Sequence, residues 1–92
     1  MKSFLSHLEC TYCEETLTAD RPARTCPKCG KVLFARYDLA EAARAVTPDT
    51  FAGRAPDMWR YFEVMPVRDP NNVVSLGEGF TPILNADRLG AK

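Results

Sequence analysis

Apolar positions recur with three different rhythms along this chain. In "KVLFARY", Lys31 to Tyr37, the residues Val32, Phe34 and Arg36 alternate with Leu33, Ala35 and Tyr37. That period of two predicts a strand with one packed face. From Asp38 the period lengthens. In "DLAEAARAV", Asp38 caps a predicted helix whose Leu39, Ala42, Ala43 and Val46 share one stripe. "TPDTFAG" places Thr47 as a cap, Pro48 at the first helical position and Gly53 as a stop, which predicts a single turn. "APDMWRYFEVMP" predicts a third helix, opened by Pro56 and closed before Pro66. Its apolar face is Met58, Trp59, Phe62 and Met65, widened by Tyr61 and Val64. So wide a face needs cover, either from the ribbon and its own neighbours or from a larger body outside the chain.

After Val67 the rhythm breaks into short pieces. "RDPNN" reads as a turn, "VVSL" as a short strand, "GEGFTP" as a loop, and "ILNADRLG" as a strand end running into a helical turn that stops at Gly90. In "GEGFTP", Gly77 and Gly79 permit unusual backbone angles and Pro82 holds Thr81 extended, so Glu78 reads first as a solvated or locally bonded loop carboxylate. The expected class is α+β: a small β-hairpin ribbon element, two or three short helices, then a short strand and loop. The expected divisions are residues 1–37, 38–66 and 67–92.

Composition narrows the possibilities. The chain has 92 residues, 46% hydrophobic and 26% charged, which is ordinary for a folded protein but short for a large core. Twelve basic and twelve acidic residues balance, so there is no basic excess of the kind that drives nucleic-acid binding. The opening "MKSFLSHLEC" has no secretory apolar run, and no stretch approaches the roughly twenty apolar residues that span a bilayer. A cytoplasmic location is expected, with no membrane partner. There, paired cysteines more often hold metal than form disulfides.

The strongest chemical signal is "CTYC" at Cys10 and Cys13 with "CPKC" at Cys26 and Cys29. Each C-x-x-C turn delivers two sulfurs to one edge of a metal, and two turns close a tetrahedron. Four thiolates leave no position for water, so the expected site is structural and contains no catalytic residue. Pro27 fixes the backbone after Cys26, and Gly30 lets N–H groups turn toward the sulfurs. Arg24, Lys28, Lys31 and Arg36 are candidates to offset the negative charge. Zinc is favoured over iron in a rubredoxin-like site because Glu14, not glycine, follows Cys13. Two disulfides would suit an exported protein, and a redox pair would suit a thioredoxin-like pattern; neither context is present. His7 reads as a solvated N-terminal residue and not as a ligand.

"CPKCG", "ARYDL", "MWRYFEVMPV" and "VSLGEGFTPI" follow one another here in an order that resembles the N-terminal part of threonine synthases. That family comprises fold-type II pyridoxal-phosphate (PLP) enzymes, some carrying a four-cysteine zinc ribbon. The resemblance implies conversion of O-phospho-L-homoserine and water to L-threonine and phosphate in the complete enzyme. It also implies a Schiff-base lysine in a segment like "S-F-K-D-R" and a later glycine-rich phosphate loop. Neither occurs here, and the only lysines are Lys2, Lys28, Lys31 and Lys92. No catalytic or PLP-binding residue is therefore assigned, and the chain alone is expected to be inactive. By the same resemblance, Glu78 and Thr81 lie near the active-site side of the PLP domain.

Three readings follow. The first is a structural zinc ribbon (1–37), linker helices (38–66) and the truncated start of a PLP-enzyme domain (67–92). The second is an independent ribbon that grips a protein partner through the Met58, Trp59 and Phe62 face. The third is a nucleic-acid ribbon stacking bases on Tyr12, Phe34 and Tyr37, although such aromatics more often fill a ribbon's core.

Overall fold

A computed structural model describes residues 1–80, 83 and 85–92. Three strands form an antiparallel sheet: β1 (Leu5–Cys10), β2 (Thr16–Thr18) and β3 (Leu33–Tyr37), in the order β2-β1-β3. The expected ribbon is thus a three-stranded sheet and not a lone hairpin. The period-two reading of residues 31–37 holds: Leu33, Ala35 and Tyr37 are partly buried, and Phe34 and Arg36 face outward. The central strand, β1, went unread because "LSHLEC" mixes polar and apolar residues without a clean alternation. Its register places His7 opposite both Thr18 and Arg36, and Glu9 opposite both Thr16 and Phe34. A bulge lies between Leu5 and His7 on the β3 side.

The first two helices form where their caps predict. In α1 (Leu39–Ala45), the Asp38 carboxylate accepts from the Glu41 N–H at 2.9 Å. In α2 (Pro48–Ala52), the Thr47 N–H donates to Thr50 Oγ1 at 3.0 Å, and Gly53 ends the helix. The α1 stripe is not covered as expected: only Ala42 is buried, and Leu39 is 66% exposed.

The third predicted helix is a 3₁₀ helix, Met58–Val64, interrupted by a kink at Tyr61. It starts later than Pro56 because the Asp57 carboxylate caps it, accepting from the Trp59 N–H at 2.9 Å. Three residues per turn place Trp59, Phe62 and Met65 in one row, with Met58, Tyr61 and Val64 in the next. The first row turns inward around Phe62, which is fully buried, and Tyr61 and Val64 of the second are exposed. A short 3₁₀ turn, Pro70–Asn72, realises the turn expected at "RDPNN". Residues 73–76, expected as a strand, have no strand partner among the described residues and run as loop. A last turn, α3 (Asp87–Gly90), ends at the predicted glycine.

Polar bonds join the ribbon to the residues that follow it. The Phe4 N–H donates to Glu63 O at 2.8 Å, Ser3 Oγ–H to Met65 O at 2.7 Å, and Arg68 Nη1–H to Leu5 O at 3.1 Å. Within the linker, the Arg54 guanidinium grips the Glu63 carboxylate through two bonds of 2.8 and 2.6 Å and also donates to Arg60 O. This core is thin. Among the described residues the buried apolar ones are Leu5, Cys10, Cys26, Ala42 and Phe62, and the radius of gyration is 17.3 Å. A closed domain of this length has a radius of about 12 Å. The chain does not close around one apolar centre, so its polar clamps and its cysteines take a large share of the stabilisation.

The Arg54–Glu63 clamp sets a pH dependence. The Arg54 hydrogen bonds hold the Glu63 carboxyl below its ordinary value, and burial opposes them only in part. A carboxyl depressed in the folded state contributes stability that is present above its unfolded pKa and lost as pH falls through its folded pKa. Chemical denaturation of the chain should therefore show stability falling as pH drops below about 5, through the ordinary carboxylate pKa and beyond it, with part of that fall absent in Glu63→Gln. At neutral pH the substitution should cost about 2–3 kcal/mol, less than for a fully buried pair because Arg54 keeps some solvent contact. A variant as stable as the parent would show that the clamp contributes nothing.

Candidate metal centre

Cys10 ends β1, and Cys13 lies three residues on in the turn that leads to β2. Cys26 and Cys29 form the turn that leads into β3. Because β1 and β3 are paired, with Cys10 opposite Leu33, the two turns come together at one end of the sheet. The four sulfurs all lie within 4.8 Å of one another, with Cys10 and Cys29 at 3.3 Å and Cys13 and Cys26 at 3.5 Å. Bonds of 2.3 Å to a central zinc imply tetrahedral edges of about 3.8 Å, so the cluster fits such an ion with small adjustments. The four cysteines are positioned to bind a metal ion.

The two turns repeat each other with an offset of sixteen residues. The Cys10 N–H donates to Glu15 O at 2.8 Å, and the Cys26 N–H donates to Lys31 O at 2.8 Å. The Tyr12 N–H reaches Cys10 Sγ at 3.4 Å, and the Lys28 N–H reaches Cys26 Sγ at 3.4 Å. The second cysteine of each turn is bonded by a later N–H, Glu15 to Cys13 and Lys31 to Cys29. Each turn closes through a residue with positive φ: Glu14 at 63° and Gly30 at 74°. Glu14 departs from the glycine of an iron knuckle in residue type, yet it adopts the glycine conformation. That residue therefore does not separate zinc from iron.

The electrostatics call for a cation. Burial opposes ionisation of Cys10, but the Cys13 and Tyr12 N–H groups and the Cys29 and Cys13 thiols bring its pKa down to about 6. The Glu15 N–H favours the Cys13 thiolate, yet desolvation and the sulfurs of Cys26, Cys10 and Cys29 push it up to about 12. For Cys29 the Lys31 N–H likewise favours the thiolate, but desolvation and Cys10 outweigh it. One thiol loses its proton easily and its neighbours then resist. A divalent ion at the centre removes that conflict, because every thiolate becomes a ligand.

Of the basic residues expected to offset the charge, Lys28 comes nearest to doing so. Its amine is held protonated first by Glu15, 3.0 Å away, and also by Cys13 and Cys26. Arg36 is instead committed to Glu9, and Lys31 sits over the Tyr12 ring at 5.9 Å. His7 lies within β1, its Nδ1 2.9 Å from Ser6 Oγ, and is not among the clustered ligands. Tyr12 and Phe34 are exposed and do not fill the ribbon core.

The "GEG" loop lies apart from the metal ligands. Gly79 forms an antiparallel bridge with Asp57, and the Met58 N–H donates to Glu78 O at 2.9 Å. Glu78 is locally bonded, as the first of its readings expected. Thr81 and Pro82 lie outside the described residues.

Threonine synthase from Methanocaldococcus jannaschii is 36% identical over 80 residues, covering 87% of this chain and 20% of that protein. Threonine synthase from Methanosarcina acetivorans is 32% identical over 87 residues, covering 94% of this chain and 20% of that relative. The resemblance to threonine synthases holds. The longer threonine synthase match leaves out too few residues to miss either cysteine turn or the Ser75–Phe80 loop. The chain spans about one fifth of the length of these curated relatives. No protein-family model and no solved structure matches it. Among the described residues, no helix is long and apolar enough to cross a membrane.

The sixteen-residue repeat makes a direct prediction. A left-handed backbone costs an L-residue energy that glycine avoids, so Glu14→Gly should raise stability by about 0.5–1 kcal/mol after the added freedom of the unfolded chain is subtracted. Gly30→Ala should lose about 1–2 kcal/mol for the same reason, since its new Cβ meets no atom within 4 Å. Thermal melts of both variants measure this; a loss in Gly30→Ala with no gain in Glu14→Gly would show that the turns are not equivalent.

Proposed function

We propose that Cys10, Cys13, Cys26 and Cys29 hold one structural zinc ion, and that the chain is the zinc-ribbon and linker segment of a cytoplasmic threonine synthase. The observation that carries this reading is the convergence of four cysteines on a chain that also matches threonine synthases over most of its length. Zinc is preferred to iron because no redox partner or electron path is needed for a site that joins β1 to β3. The ion would staple a sheet that buries little apolar surface.

The threonine-forming reaction belongs, on this reading, to the complete polypeptide. PLP would supply the electron sink there. Of the lysines, Lys28 is paired with Glu15, Lys31 lies over Tyr12, and Lys2 lies over the Phe4 ring at 5.4 Å. Its contribution is to fold the linker and present a surface to the PLP domain. Since Phe62 is buried, the contact face is better placed on exposed Tyr61, Val64, Leu76 and Phe80 than on the Met58, Trp59 and Phe62 face. The same exposed residues favour a second reading, in which the ribbon grips a separate protein partner. Nucleic acid is not an expected partner, given the balanced charge.

The test compares this chain with the polypeptide encoded by its whole reading frame. The longer protein should release phosphate and form threonine from O-phospho-L-homoserine, and residues 1–92 alone should do neither. The purified chain should contain zinc and lack the visible absorption of a thiolate-bound iron. Turnover by residues 1–92 alone would contradict the proposal, and so would a longer protein without this activity.

A further inference from the structure

Glu78 makes an unusual number of contacts for a carboxylate flanked by two glycines. Its Oε1 accepts from Trp59 Nε1–H at 3.2 Å. Its Oε2 accepts from the Leu76 N–H at 2.6 Å and from Ser75 Oγ–H at 3.2 Å. Its carbonyl accepts from the Met58 N–H, and the next residue bridges Asp57. Both oxygens are thus engaged, one within the loop and one on the 3₁₀ helix.

The backbone agrees with this assignment. Gly79 has φ 115°, and a Cβ there would lie 2.5 Å from Met58 N and 2.8 Å from Asp57 C. Those neighbours are backbone atoms that cannot swing aside, so the loop approaches the helix as closely as a glycine allows. With Glu78 turned inward, Leu76 stands 97% exposed, while the Phe80 ring receives the Arg60 guanidinium at 5.0 Å.

We infer that Glu78 is a positioning residue, a latch that fastens the Ser75–Phe80 loop to the first turn of the 3₁₀ helix through the Trp59 indole. The carboxylate is spent on holding the loop and is not a free ligand group. The loop's N–H donors keep it ionised at neutral pH. Because Phe4 and Ser3 bind the far end of the same helix, the latch also fixes the loop relative to the ribbon. This deepens the threonine synthase reading by giving Glu78 a role at the domain entry, but it stands on contacts within this chain. The latch is read from amide and indole signals of this chain and the function from zinc content and turnover of the longer protein, so the two failures are distinguishable.

Trp59 is the single tryptophan, so its indole N–H gives one resonance in a ¹H–¹⁵N spectrum of the chain. Glu78→Ala should move that resonance toward the position of a solvent-exposed indole. It should also speed exchange of the Met58 amide about tenfold, the loss expected for one or two hydrogen bonds. The β1 amides should be unchanged. Glu78→Gln keeps an acceptor for the indole and should retain the parent resonance. Trp59→Phe, which removes the donor and keeps a ring, gives a second reading and should also speed Met58 exchange. A parent-like indole resonance and parent-like Met58 exchange in Glu78→Ala would overturn the proposal, as would unchanged Met58 exchange in Trp59→Phe.

Discussion

Four thiols crowded into one corner of a sheet cannot all ionise without a cation, and most of this structure depends on how that conflict is resolved. Cys10 is drawn toward the thiolate by backbone N–H groups, and Cys13 is driven away from it by its neighbours. A central dication would turn mutual repulsion into four bonds. It would also link the end of β1 to the start of β3, across a loop that the small apolar core would not close. The backbone is prepared for this, since the same hydrogen bonds and positive φ angles occur in both turns.

Order at the metal end passes to the rest of the chain through few contacts. β1 carries Cys10 at one end and Leu5 at the other, just after Ser3 and Phe4, which bond Met65 and Glu63. Glu63 is clamped by Arg54, and the same 3₁₀ helix receives Glu78 at its first turn. Ribbon, linker and loop are therefore joined in series by polar bonds, with Phe62 as the one large apolar plug between them. Such an arrangement leaves large apolar residues, Leu76 and Phe80 among them, exposed to solvent.

The parts of the fold legible in the sequence are those governed by local chemistry. Asp38, Thr47, Pro48 and Gly53 mark helix ends because caps act over three or four residues. The cysteine spacing marks the metal cluster because the turn that presents two sulfurs is itself local. What was hidden depends on tertiary partners. "LSHLEC" is a central strand because β2 and β3 flank it, and nothing in its own pattern requires that. "VVSL" is rich in β-formers but has no strand partner among the described residues. The Arg54–Glu63 clamp and the Glu78–Trp59 contact join residues 9 and 19 positions apart, beyond any helical spacing. The glycine-like Glu14 was masked by its side chain, although the sixteen-residue offset between "CTYCEE" and "CPKCGK" aligns it with Gly30.

X-ray absorption spectroscopy on the purified chain tests the central claim most directly, because it reads the ion and its ligands together. The account predicts one zinc per chain surrounded by four sulfur atoms at about 2.3 Å. A metal with nitrogen or oxygen in place of any sulfur, or a folded sheet with no bound metal, would contradict it.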